Sequence, residues 1–130
     1  MFIQAKSQHG MSGLHIVFMG SVLGYEKRNT LGLSHLMEHL ICHSYDDLLS
    51  KFTEFGIYDN AYTDDESVVF FITGLETSIA QFRDEFIERI LSYVPSEDIF
   101  ENEKKIILQE YDDYFKGNEE ILYYNKMREM

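Results

Sequence analysis

His35, Glu38 and His39 stand within five residues, "HLMEH", inside the stretch "TLGLSHLMEHLICHS", which is otherwise rich in leucine, methionine and isoleucine. On a helix, residues i and i+4 lie one turn apart on the same face, so His35 and His39 can aim both imidazoles at one ion. Glu38 falls three residues after His35 and one before His39. It sits beside such an ion without being forced to bind it. A carboxylate there can take a proton from a water whose pKa zinc has lowered to about 7. The order H-x-x-E-H inverts the commoner H-E-x-x-H zinc signature. Catalytic zinc usually takes three protein ligands and keeps a fourth position open, so the motif predicts one more ligand elsewhere, an acid or a histidine. The plain alternative is a buried helix that carries a few polar residues.

The elements that must position these groups are legible in outline. "FIQA" near the start suggests a short strand, and "LHIVFMG" (14–20) a better one, an apolar run of β-formers ending at a glycine. "SVLGYEKRNT" reads as a loop, with Gly24 and Asn29 as turn residues. Thr30 is the expected cap of a helix over 31–44, whose buried stripe is Leu33, Leu36, Met37, Leu40 and Ile41. A second helix is expected from Tyr45 to Phe55, stopping at Gly56. Residues 59–74 contain two strand-like pieces joined by the polar turn "DDES". The spacing predicts a helix over 76–94 with Ile79, Phe82, Phe86, Ile90 and Val94 on one face, ended by Pro95. Ser96 can cap the next, over 97–115, with Ile99, Phe100, Ile106, Ile107 and Tyr111 as its apolar set, and "EEILYYNKM" suggests a last short helix. Strands, helices, strands, helices in that order imply an α+β domain with a mostly antiparallel sheet and helices packed on one face.

Bulk properties narrow the field. At 130 residues the chain has the size of one domain, and 45% hydrophobic and 15% aromatic content can form a core. So short a chain leaves much surface unburied, so a site on it is shallow or completed by a second copy or another protein. The net charge is −12, from 23 acidic and 11 basic residues. Nucleic-acid phosphates need a basic surface, so this balance argues against nucleic acid, and equally against an anionic membrane. Cys42 is the only cysteine, which forbids an internal disulfide and points to a reducing compartment. The start, "MFIQAKSQHGMSG", lacks the pattern of a signal peptide, and no apolar run reaches membrane-spanning length. These features lead to the expectation of a soluble, cytoplasmic protein.

Three ordered motifs carry a resemblance. "MGSVLGYEKRNTLGLSHLMEHL" resembles the active-site segment of the M16 metallopeptidases, the family of pitrilysin, insulin-degrading enzyme and the mitochondrial processing peptidase. Its elements are Gly20-Ser21, Glu26, and Gly32 followed by His35, Glu38 and His39. "FGIYDNAYTDDESVVFFITG" is similar to the family's Gly-x-x-x-Asn-Ala-x-Thr segment, through Gly56, Asn60, Ala61 and Thr63. "ENEKKIILQEY" is similar to its Glu-x(6)-Glu helix, through Glu103 and Glu110. The resemblance covers residues 14 to 115 and implies a shortened M16-like fold. It implies a zinc endopeptidase acting on extended or unfolded peptides, with His35, His39 and Glu110 as zinc ligands and Glu38 as general base. The resemblance further implies that Glu103 supports catalysis from nearby, orienting His35 or His39 or tuning the site. Seven residues are two helical turns, so Glu103 and Glu110 face the same way. Asn60, Ala61 and Tyr62 would begin an edge strand to which substrate adds by main-chain pairing.

The sequence also departs from that pattern. The family's Phe-Lys-Gly-Thr after the second histidine is absent; "ICHSYDD" stands there, expected to be a trimmed loop clear of the ligands. Active M16 enzymes pair two such domains, the second supplying an Arg-Tyr pair that helps bind substrate, and this pair is not visible here. The resemblance therefore implies a homodimer or a partner M16-like chain, with a non-catalytic peptide-binding subunit as the alternative. A third possibility, a closed structural zinc site, is disfavoured by three ligands and a free base. His43 lies about 12 Å along a helix from His35, too far to share one ion, and is expected at the surface or one step removed from the metal. Cys42 is expected to be a buried, inert thiol, the aromatics of 62–93 core residues, and Asp112 and Asp113 a solvated face; His9 and His15 have no partners at ligand spacing.

Overall fold

A computed structural model of the chain describes residues 2–6, 9–19, 32–64 and 66–116. Gly20, Ser21, Gly24, Glu26, Asn29, Thr30, the helix start at Leu31, Asp65 of the turn and the helix expected in 119–127 lie outside those residues. Four strands form one antiparallel sheet: β1 (Phe2–Lys6), β2 (Met11–Met19), β3 (Tyr58–Thr63) and β4 (Ser67–Leu75), in the order β1-β2-β4-β3. The two long strands are central, and their β-branched and aromatic residues suit a pleated, packed surface. Period-two alternation puts Leu14 and Ile16 of β2 on one face with Val68, Phe70 and Ile72 of β4, and all five are buried. On the other face His15 stacks on Phe71, ring centroids 5.1 Å apart, and Tyr58 and Tyr62 pack around Phe71. Asp64 turns the chain between β3 and β4: its carboxylate accepts the N–H groups of Glu66 and Ser67 at 2.8 and 2.7 Å, an Asx-type turn.

Helices cover the Leu14–Phe70 face. α3 (Glu76–Ser92) buries Ile79, Phe82, Phe86 and Ile90 against β2 and β4. α1 (Leu33–Cys42) lies across β3 and β4, with Leu36 buried and Met37, Ile41 and Cys42 packed on the core. A 3-10 helix, His43–Leu48, and α2 (Leu49–Glu54) follow, and α4 (Glu97–Lys116) packs on α1. The architecture is α+β with an antiparallel sheet, as expected.

Five local expectations are corrected. The N-cap of α1 is Gly32, at φ 88° and with no capping side chain, rather than Thr30. A Cβ on Gly32 would lie 3.1 Å from the Tyr111 ring, so both its backbone and its contact with α4 require glycine. The helix expected over 45–55 is split, because Tyr45 leaves helical geometry (φ −131°) to bury its ring against Phe52 and Phe86. "ICHSYDD" is therefore not a surface loop: Ser44, Tyr45 and Leu48 are buried, and Arg89 of α3 ties it down through the Ser44 carbonyl and Asp47. Val94 is 84% exposed, because α3 ends at Ser92 and the residue before a proline favours extended geometry. Of the apolar set on α4 only Ile107 is buried, since α1 and α3 already occupy the sheet and α4 packs as an outer layer. Ser96 does cap α4, its hydroxyl accepting the Ile99 N–H at 3.3 Å.

Candidate metal centre

The HLMEH segment is helical, and His35 and His39 share one face of α1, their rings edge-to-face with centroids 4.8 Å apart. α4 brings Glu110 to the same point. Its Oε2 lies 3.7 Å from His35 Nε2 and 3.9 Å from His39 Nε2. One donor atom from each of the three residues falls within 4.8 Å of the others, and no other metal-competent group of three forms among the described residues. Ligand atoms about 2.0–2.1 Å from a tetrahedral zinc ion sit about 3.3 Å from one another. The two histidine–Glu110 separations are thus a few tenths of an ångström wider than in a loaded zinc site. Two imidazole nitrogens and one carboxylate oxygen are a zinc donor set.

The remaining site residues surround this cluster. Glu38 lies one turn past His35, facing β3, where the Thr63 hydroxyl donates to its Oε2 at 2.6 Å. Among the described residues nothing bonds Oε1. Glu103, 9% exposed, is the one buried carboxylate among them. It touches His39 and not His35: Oε2 accepts from His39 Nδ1 at 3.0 Å. Its other oxygen, Oε1, lies 2.9 Å from His43 Nε2, and His43 Nδ1 lies 2.8 Å from Asp46 Oδ2. Within "ICHSYDD", His43 touches none of the three donor groups itself but reaches the carboxylate that holds His39. Burial opposes the charge on Glu103, but its bonds to His43 and His39 outweigh that and hold its carboxyl below the ordinary range. The Glu103 bond raises the pKa of His43, offset in part by burial and reinforced by Asp46.

The sheet edge is also close. Asn60, Ala61 and Tyr62 lie within β3 rather than at its start, and β3 has a neighbour only on its β4 side among the described residues. Register puts Ala61 and Thr63 on the helix-covered face and Asn60 and Tyr62 on the opposite one. The Tyr62 ring accordingly packs on Phe71, away from the histidines. The Ala61 N–H donates to Asn60 Oδ1 at 2.9 Å, and the Asn60 amide bonds the Tyr58 hydroxyl at 3.1 Å. Cys42 is half-buried, with its thiol pKa raised by burial and its Sγ accepting from Tyr45, the setting of an inert thiol.

The sequence matches Insulinase (Peptidase family M16) over residues 4–129. The chain belongs to peptidase family M16. No curated protein matches it. Membership makes the arrangement of this M16 chain intelligible as a peptidase-type domain, with the two-histidine helix and the two-glutamate helix laid side by side. Thr63 is a residue at this M16 centre to which the sequence assigned no role, and His43, expected at the surface or one step removed from the metal, takes the second of those places. Thr63 carried a signal, as the last residue of the Asn-Ala-x-Thr segment, three places beyond Asn60. His43 carried one too, at i+4 from His39 on the same face. No described helix is long and apolar enough to cross a membrane.

Proposed function

We propose that the chain is a zinc-dependent endopeptidase that hydrolyses extended or unfolded peptides. The observation that supports this most is the convergence of His35, His39 and Glu110 from two helices, with Glu38 beside them on its own tether. When bound there, zinc supplies Lewis acidity, lowering the pKa of water and polarising a peptide carbonyl. Glu38 does the proton work. The Thr63 hydroxyl fixes Oε2, which leaves Oε1 to take a proton from the attacking water and pass it to the departing amine. Glu103 acts through His39, holding its Nδ1 so that Nε2 faces Glu110. Substrate enters as an added strand on the open edge of β3, where the Ala61 N–H becomes its donor once the Asn60 side chain swings away. Pairing through main chain reads extended backbone, which excludes folded domains.

The donor cluster is partly open, with His35 34% and Glu110 49% exposed, and a second copy of this chain or a partner M16-like chain would close the other wall of the cleft. The test is bound zinc together with cleavage of an unstructured peptide, for the wild type and Glu38→Gln, with and without candidate partner chains. Zinc in both proteins and cleavage by the wild type alone is the expected result. Zinc without cleavage under every condition replaces the enzyme with a non-catalytic peptide-binding subunit, and failure to bind zinc removes the ligand assignment as well.

A further inference from the structure

His43 is outside the donor cluster, yet it is the centre of a continuous chain of contacts. Asp46 Oδ2, His43 Nδ1 and Nε2, Glu103 Oε1 and Oε2, and His39 Nδ1 follow one another at 2.8, 2.9 and 3.0 Å. The local fold places them. α1 ends at Cys42, so His43 is the next residue on the His39 face, and the chain then tightens into a 3-10 helix. Within that segment, which kinks at Tyr45, Asp46 Oδ2 comes to 2.8 Å from His43 Nδ1. Each ring nitrogen of His43 faces a carboxylate oxygen within hydrogen-bond distance. A neutral imidazole has one N–H and one lone pair, and the lone pair would repel the second carboxylate. Both nitrogens therefore donate, and His43 stands as an imidazolium between two carboxylates. That occupies both oxygens of Glu103. With His39 as its single partner, the carboxylate could swing away from Nδ1 altogether; with His43 on Oε1, Oε2 stays on His39 Nδ1. The proton on His39 is then fixed at Nδ1, and the lone pair is left on Nε2, the nitrogen that faces Glu110.

We propose that His43, braced by Asp46, is a positioning residue that locks Glu103 and through it keeps His39 in the Nδ1–H tautomer, with Nε2 presented to the donor cluster. The consequence for zinc rests on the metal-site reading above; the consequence for the tautomer does not. Removal of a partner bonded directly to a ligand, the place Glu103 holds, typically costs 10–100-fold in metal affinity, and His43, one bond further out, sits at the low end of that range.

The experiment uses the full chain, with long-range 1H–15N spectra of the metal-free protein to read the His39 tautomer and chelator competition to read zinc affinity. The expected result is His39 as Nδ1–H in the wild type, a mixture with Nε2–H in His43→Leu, and zinc affinity about tenfold weaker in that variant. His43→Gln, whose amide can still donate to Glu103, recovers part of the loss. His43→Leu adds nothing further in a Glu103→Ala background, because the lock acts only through that carboxylate. Should His43→Leu not fold, Asp46→Asn, at an exposed position, shifts the tautomer in the same direction by less. An unchanged His39 tautomer in these variants overturns the proposal, as does a His43→Leu loss of zinc affinity that persists in full without Glu103. A wild type that takes up no zinc defeats the peptidase reading, while the tautomer comparison still decides this one.

Discussion

Thr63 is a small residue with a large assignment, because its hydroxyl is the group that holds the proposed base. The Glu38–Thr63 bond is 2.6 Å, short as bonds to ionised acceptors are. Thr63→Val keeps the shape and removes the donor. A hydrogen bond to a charged group is worth about 1.5–3 kcal/mol, so kcat should fall roughly tenfold or more with zinc content unchanged, measured by peptide cleavage at matched metal loading. At the same scale, the His43–Glu103 pair makes the metal-free fold depend on pH. His43 is raised above its ordinary 6.5, so its contribution is complete below that value and is lost as pH rises through the higher folded value. Glu103 is lowered below its ordinary 4.5, so its contribution is present above that value and lost as pH falls through the lower one. The stability gap between wild type and His43→Leu in chemical denaturation should therefore be widest between 4.5 and 6.5 and narrow on both sides. The two histidines of the candidate site were legible because helical spacing is local. The pair of carboxylates around His43 was not, because Glu103 lies 60 residues away in sequence and only tertiary packing brings it there.

At the scale of elements, the site is the seam between α1 and α4. Strand and helix identities were readable: the apolar run of β2, the two strand pieces of residues 59–74 and the Ile79–Phe82–Phe86–Ile90 stripe of α3 appear where expected. What the pattern could not supply was which layer each helix joins. α4 has a core-like apolar set, yet it packs outside α1, leaving Ile106 45% and Leu108 59% exposed. The cap also escaped, because Gly32 is chosen by a contact with a distant ring rather than by a neighbouring side chain. That contact sets Tyr111, and with it the adjacent Glu110, against the start of α1. Gly32→Ala combines left-handed backbone with a crowded Cβ; it should cost at least about 1–2 kcal/mol in denaturant unfolding and weaken zinc binding. The open edge of β3 gives a second test. Proline is tolerated on an edge strand but has no N–H to offer. In a Glu38→Gln background, Ala61→Pro should abolish peptide binding measured by fluorescence anisotropy and leave zinc affinity unchanged.

At the scale of the whole molecule, charge and shape divide the work. The chain carries −12, much of it on helix surfaces such as Glu97, Asp98, Glu101, Asp112 and Asp113 of α4. The sheet face away from the helices presents Tyr58, Tyr62, His15 and Phe71 with no charged side chain among its paired positions in β2, β3 and β4. The His35–His39–Glu110 cluster joins α1 to α4. A metal bridging α1 and α4 would therefore act on the whole fold as well as on substrate, stabilising it by about 2.7 kcal/mol at a hundredfold excess over Kd. The most direct measurement is a calorimetric zinc titration of the wild type beside Glu110→Gln, the variant that removes the one ligand contributed by α4. The account predicts one tight site per chain in the wild type and a large loss of affinity in Glu110→Gln. Equal affinity in the two proteins, or no zinc binding in the wild type, would contradict it.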